Sequence, residues 1–173
     1  MGDKNAPPPV TFAIRRATAA DAPVLAHHRA GMFQDMGELP DDLYETLVQA
    51  AAAYFARAIL DGRYVAWVAQ AGDRSGEIVG GAGLQLRELL PRPDPTRARL
   101  VRGPQGLIMN VFTERPWRRR GVAEALMREV LAWCRDNGVE SVVLHASKDG
   151  RALYEKLGFR PTNEMRYDRG VTP

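Results

Sequence analysis

Cysteine is almost missing from this chain of 173 residues: it has Cys134 alone, with three histidines. One thiol makes no internal disulfide, and so sparse a ligand set builds no metal cluster. No metal is therefore expected, and the setting is expected to be reducing and cytoplasmic. No uncharged apolar run approaches the ~20 residues that a bilayer span needs, so no membrane partner is expected. Met1 to Pro9 lacks the apolar core of a secretory signal, and Ala6 stands where an N-terminal acylation signal wants Ser or Thr. Residues 1–10 are expected to form a disordered tail, and 11–173 a single domain. Two phosphate-binding glycine patterns are also missing: Gly-x-x-x-x-Gly-Lys-Ser/Thr, and Gly-x-Gly-x-x-Gly after a strand.

What is present is an ordinary globular composition, 45% hydrophobic and 26% charged. The net charge is +3 with a pI near 9.3. Arginines gather at 87–102 and 115–120, a local basic rim suited to an anionic ligand. This is weaker than the long basic stripe of a nucleic-acid binder, so no nucleic acid is expected.

Alternation predicts a strand over Thr11–Arg16. Thr18-Ala19-Ala20-Asp21 then resembles a capping box and opens a helix to about Met32. Pro40-Asp41-Asp42 opens a second helix, with Leu43, Leu47, Ala50, Ala51, Tyr54, Phe55 and Ala58 as its apolar face, ending at Asp61-Gly62. Strands are predicted over Tyr64–Ala71 and Glu77–Arg87, joined by a hairpin turn at 72–76. Pro91–Pro104 reads as a long loop. A strand over Gly106–Thr113 follows, then a helix stopped by Asn137-Gly138. That helix has Val122, Leu126, Val130 and Trp133 on one face, and Cys134 falls among its core residues. A buried strand (Val139–His145), a short helix (Asp149–Leu157) and one or two strands within Phe159–Asp168 complete the order. The pattern predicts an α/β domain with a mixed, mostly antiparallel sheet flanked by helices, and one parallel strand–helix–strand unit over 107–145.

The most informative stretch is Arg118-Arg119-Arg120-Gly121-Val122-Ala123, between a strand and a helix. Arginines are unfavourable against the positive end of a helix unless an anion is present. The unpaired N–H groups of a first helical turn bind phosphate, and Gly121 and Ala123 leave the backbone approachable.

Arg118-x-x-Gly121-x-Ala123 resembles the Gln/Arg-x-x-Gly-x-Gly/Ala signature of the GCN5-related N-acetyltransferase (GNAT) superfamily. A second stretch, Leu144 to Phe159, resembles that family's strand–helix element ending in Tyr-x-x-Leu-Gly-Phe, here Tyr154-Glu155-Lys156-Leu157-Gly158-Phe159. The resemblance implies the GNAT fold and an acetyltransferase that moves an acetyl group from acetyl-CoA, its cosubstrate, to a primary amine on a small molecule or peptide. Direct attack in a ternary complex is implied, and a homodimer is a family expectation. The backbone of Arg118, Arg119, Arg120, Gly121, Val122 and Ala123 would cradle the pyrophosphate. Val111, Phe112 and Thr113 would splay at a bulge, pair with the pantetheine arm and polarise the thioester carbonyl. Ser147 would take the cofactor-contacting position where many members of the family place Asn, and Tyr154 matches the general acid for the departing thiolate. Arg115 stands where many relatives have proline.

The base that takes the amine's proton is left open among Glu114, Glu88 and Asp35, with His27, His28 and His145 as weaker candidates. Acceptor choice is expected from Met32–Pro40 (Phe33, Asp35, Met36) and from the Pro91–Pro104 loop. A catalytically silent CoA-binding sensor or scaffold is the alternative.

Overall fold

Tyr64–Ala71 (β2) is buried along nearly its whole length because both its faces are covered. Tyr64, Ala66 and Val68 pack into one core, and Val65, Trp67 and Ala69 into another. Period-two alternation therefore shows up as a continuous apolar run, as for any strand covered on both sides. The computed structural model describes residues 11–72, 76–94 and 96–165. The expected tail, and residues 73–75 of the expected hairpin turn, lie outside the described residues.

β1 (Phe12–Arg16), β2, β3 (Ile78–Glu88), β6 (Pro104–Thr113) and β7 (Ser141–Leu144) form a five-stranded sheet in the order β1-β2-β3-β6-β7. Its first three pairings are antiparallel, and β6–β7 is parallel across α3 (Val122–Asp136). This is the mixed, mostly antiparallel sheet that the sequence predicts.

α1 (Ala22–Asp35) and α2 (Tyr44–Leu60) cover one face, with Leu25, Ala26, Phe55 and Ala58 in its core. α3 covers the other with Val122, Leu126, Met127, Val130 and Cys134. Cys134 is buried there, and burial pushes its thiol up to about 11. α1 lies close to the sheet because β3 presents glycine: a Cβ on Gly81 would sit 3.0 Å from His28 Nδ1 and 3.2 Å from Leu25 Cδ2.

The entry to α1 is set by charge. Asp21 accepts from Arg15 at 2.9 and 2.8 Å and from the Thr18 N–H at 2.8 Å, which joins β1 to the turn before the helix.

Several expectations need correction. α1 runs to Asp35, not Met32, because nothing breaks it before Gly37, which takes φ 71. Leu43 falls in the 3-10 turn before α2 and is exposed, as is Ala50, while Val48 is buried instead. The Pro91–Pro104 loop contains a short hairpin of β4 (Arg92–Pro93) and β5 (Leu100–Val101). β7 is half-buried, and among the described residues it pairs on one side only. Phe159–Met165 forms no strand, and Pro161 there has no N–H to give to a ladder. The remainder of that expected segment lies outside the described residues.

Candidate active site

The site begins where β6 and β7 part. Their parallel pairing ends at Ile108↔Leu144, yet β6 continues to Thr113. One edge of Met109–Thr113 thus has no strand partner among the described residues, so its backbone groups, apart from the Thr113 carbonyl that accepts from Arg118, are available to an extended ligand. On the other edge β6 stays paired with β3, but the register slips between Gly81↔Phe112 and Gly83↔Met109. Asn110 and Val111 together face Ala82, a bulge. The bulge expected at Val111–Thr113 therefore starts one residue earlier.

Asn110 is the residue that the sequence reading missed. It adopts φ 61, a conformation Asn tolerates better than most residues. Its Nδ2 donates to the Leu25 carbonyl at 3.0 Å, while its Oδ1 is buried with no partner among the described residues. The bulge thereby puts Met109 and Asn110 on the α1–α2 face, with Ile108 and Val111 on the α3 face. An asparagine inside an apolar strand was the available signal.

After β6 the chain makes a 3-10 turn at Arg115–Trp117 and then the basic turn. Arg119 has φ 61, and Gly121, the α3 N-cap, has φ 81. The first return bond of the helix is Ala125 N–H to the Gly121 carbonyl at 3.0 Å. The N–H groups of residues 119–124 donate to no backbone carbonyl among the described residues, and the helix has no side-chain cap. They form a donor set at the positive end of a 15-residue helix, which fits a diphosphate. A Cβ on Gly121 would meet no atom within 4 Å, so the protein requires glycine there for its positive φ.

The arginine side chains are differently placed. Arg118 Nε donates to the Thr113 carbonyl at 2.9 Å, its guanidinium pairs with Asp35, and it lies 5.5 Å from the Phe112 ring centroid. Arg115 pairs with the same Asp35 at 2.9 Å. Arg120 lies 5.6 Å from the centroid of Trp117. Arg118 thus fastens the turn to the C-terminal end of α1. Val122 turns its side chain into the core, so only its backbone faces the turn; Ala123 is half-buried. The other basic cluster is partly occupied. Arg99 pairs with Asp94 at 3.0 Å and Glu140 at 2.8 Å, and Arg87 donates to Gln105 at 3.0 Å.

The base candidates separate by position. Burial pushes the Asp35 carboxyl up, but hydrogen bonds from Arg115 and Arg118 outweigh it and hold the group below the usual range. Glu88 pairs with Pro104, at the opposite end of β6 from Thr113, and the Pro91–Pro104 loop lies at that end too. Glu114 directly follows β6; burial first, and then the charge of Glu77, pushes its carboxyl up. Behind it, at 3.6 Å, is His28 Nε2. His28 is wholly buried, neither ring nitrogen has a hydrogen-bond partner among the described residues, and burial followed by the charge of His27 lowers it to about 4. His27 is exposed, 3.5 Å from the Tyr44 hydroxyl, and His145 is exposed near Glu164.

Tyr154 lies on α4 (Arg151–Lys156), half-buried, 6.1 Å from Phe159 between ring centroids. Its hydroxyl hydrogen-bonds to no described residue, and burial pushes the phenol above its usual value. Lys156 pairs with Glu124 at 2.7 Å, so the helix carrying Tyr154 is tied to the first turn of α3. Ser147 is exposed, and its Oγ accepts from the Gly150 N–H at 3.2 Å, ahead of α4.

A splayed strand edge, an uncapped helix start and a tyrosine fastened beside it define the acyltransferase arrangement. The chain matches the Acetyltransferase (GNAT) family over residues 30–159 and belongs to it. It is an acetyltransferase of that family. It is 28% identical over 159 residues to "Aminoglycoside N(6')-acetyltransferase type 1" of Stenotrophomonas maltophilia, covering 90% of this chain and 91% of that protein. It is 33% identical over 101 residues to human "N-acetyltransferase 8", covering 57% of this chain but 39% of that protein. Among solved structures, a GCN5-related N-acetyltransferase from Ralstonia eutropha aligns with TM-score 0.78 at 26% identity, over 93% of this chain and all of that one. An acetyltransferase from Clostridium acetobutylicum, solved with acetyl-CoA, aligns with TM-score 0.74 at 25% identity, over 92% and 96%. Among the described residues, no helix is long and apolar enough to cross a membrane.

Proposed function

We propose that the protein transfers the acetyl group of acetyl-CoA to a primary amine by direct attack in a ternary complex. The observation that carries this reading is the set of unpartnered N–H groups at 119–124 beside the free edge of Met109–Thr113. The first would hold the pyrophosphate; the second would align the pantetheine arm and direct an N–H at the thioester carbonyl. Acetyl-CoA supplies an activated acyl group with a thiolate leaving group. A neutral amine is needed for attack, so a base must take its proton. Glu114 fills that role: it adjoins the splayed strand end, and its raised pKa brings it nearer neutrality, where a base works well. His28, neutral at pH 7, supports it from behind. Tyr154 keeps its proton at neutral pH and gives it to the thiolate as the carbon–sulfur bond breaks.

Calorimetry with acetyl-CoA, together with thiol release over an amine panel, tests this reading. Wild type should bind acetyl-CoA and release thiol only with an acceptor. Gly121→Val places a β-branched residue at φ 81 beside the donor set and should weaken acetyl-CoA binding at least ~10-fold. Unchanged affinity would remove the cradle. Tight binding with no turnover on any amine would favour the silent CoA-binding protein.

A further inference from the structure

The α1–α2 face of the sheet holds a cavity of about 290 Å³. Leu47 and Phe55 of α2 and Met109 of β6 supply apolar walls. Tyr54 and Gln85 join them, with Gln85 Nε2 donating to the Tyr54 hydroxyl at 3.0 Å. Among the described residues, the one charged lining residue is Arg29 of α1. Met109 immediately precedes Asn110, and the bulge turns both toward α1 and α2, so the cavity adjoins the splayed strand end.

Arg29 is half-buried, yet it has no carboxylate partner among the described residues. Its guanidinium lies 4.9 Å from the Phe33 ring centroid. Arg115 and Arg118, by contrast, share Asp35. A guanidinium held at an apolar wall without a counter-charge is suited to an incoming anion, and its planar fork matches a carboxylate. An acceptor with several ammonium groups would set like charges against Arg29. The cavity also sits near the lower end of the ~300–1,000 Å³ range of ligand pockets, which suits a compact molecule.

Resting on the acetyl-transfer reading, we infer that the acceptor is a compact primary amine with an apolar body and a carboxylate, and that Arg29 binds the carboxylate. The walls of Leu47, Phe55 and Met109 take the apolar body, and the amine is directed to the Asn110 end of the cavity. This assigns a substrate class unlike the polycationic one in the name of the Stenotrophomonas relative.

Matched pairs test it: L-leucine with 3-methylbutylamine, L-phenylalanine with 2-phenylethylamine, and L-tryptophan with tryptamine, each pair differing only by the carboxylate, with kanamycin as the polycation. With acetyl-CoA, at least one amino acid should exceed its decarboxylated partner ~10–100-fold in kcat/KM, the scale of a charge-assisted hydrogen bond. Arg29→Met should abolish that ratio, and Arg29→Lys should keep part of it. Equal kcat/KM within every pair, or kanamycin as the better acceptor, would overturn the inference. Calorimetry of the same pairs without acetyl-CoA reads the cavity apart from turnover. Carboxylate-dependent binding that is lost in Arg29→Met supports the assignment even if no amine is acetylated. Absence of any such difference in binding counts against it.

Discussion

Asn110 on the central strand donates to the backbone carbonyl of Leu25 on α1 at 3.0 Å, across the interface between sheet and helix. The bond holds a left-handed residue in mid-strand and so fixes where β6 parts from the regular ladder. Two contributions are separable by mutation. Asn110→Gly keeps the backbone at ease but loses the hydrogen bond, and should cost about 1–2 kcal/mol. Asn110→Leu loses the bond and also strains the backbone at φ 61, and should cost about 2–4 kcal/mol. Thermal unfolding of both variants checks the order. If glycine proves worse than leucine, packing and not backbone conformation controls the bulge.

His28 gives the fold an acid limit. Its ring is buried without a hydrogen-bond partner among the described residues, and burial, with a smaller effect from His27, lowers it from 6.5 to about 4. The unfolded chain therefore takes up a proton below pH ~6.5 that the folded chain refuses until about pH 4. Stability is fully present above the higher value and lost as pH falls through the window, by up to about 3 kcal/mol. Replacing His28 with Leu removes the titration and should flatten that limb. Urea midpoints at pH 7 and pH 4.5 for both proteins decide it, because the other titrating groups are common to the two. Parallel limbs would mean that His28 protonates in place.

Much of this was legible in the sequence, because the signals were local. Gly121 and the apolar runs on either side of it marked a strand–turn–helix, and Tyr154 was marked by its Leu-Gly-Phe sequel. Packing between distant segments was not legible. Nothing in the order of residues shows that Arg118 reaches back to Asp35, 83 positions away. Three basic residues in a row read as an anion site, whereas one of them is a structural tie. The same limit hid His28 behind Glu114, and Arg29 in a cavity built from two helices and two strands. Within the expected strand segment, Phe159–Met165 stays irregular for another reason: β propensity does not supply a partner, and Pro161 withholds a donor.

Tyr154 decides whether the proposed chemistry ends with proton donation. Its phenol is pushed up by burial, so the proton stays on the oxygen across neutral pH, and donation to a thiolate is uphill on equilibrium values. The step then depends on proximity to the departing sulfur, and α4 is held for that by Lys156 on Glu124. Tyr154→Phe removes only the oxygen, which bonds to no described residue, and the ring can keep its contact with Phe159. Stability should therefore change by less than about 0.5 kcal/mol. Turnover should fall about 100-fold or more, while the KM for acetyl-CoA stays within about 3-fold, the pattern of an interaction made only in the transition state. Steady-state thiol release with wild type and variant separates the cases. If kcat is unchanged, the hydroxyl has no part in the reaction and Tyr154 serves the core alone. If kcat is retained only with acceptors whose own groups can donate a proton, the substrate has replaced the phenol, and the acid role stands.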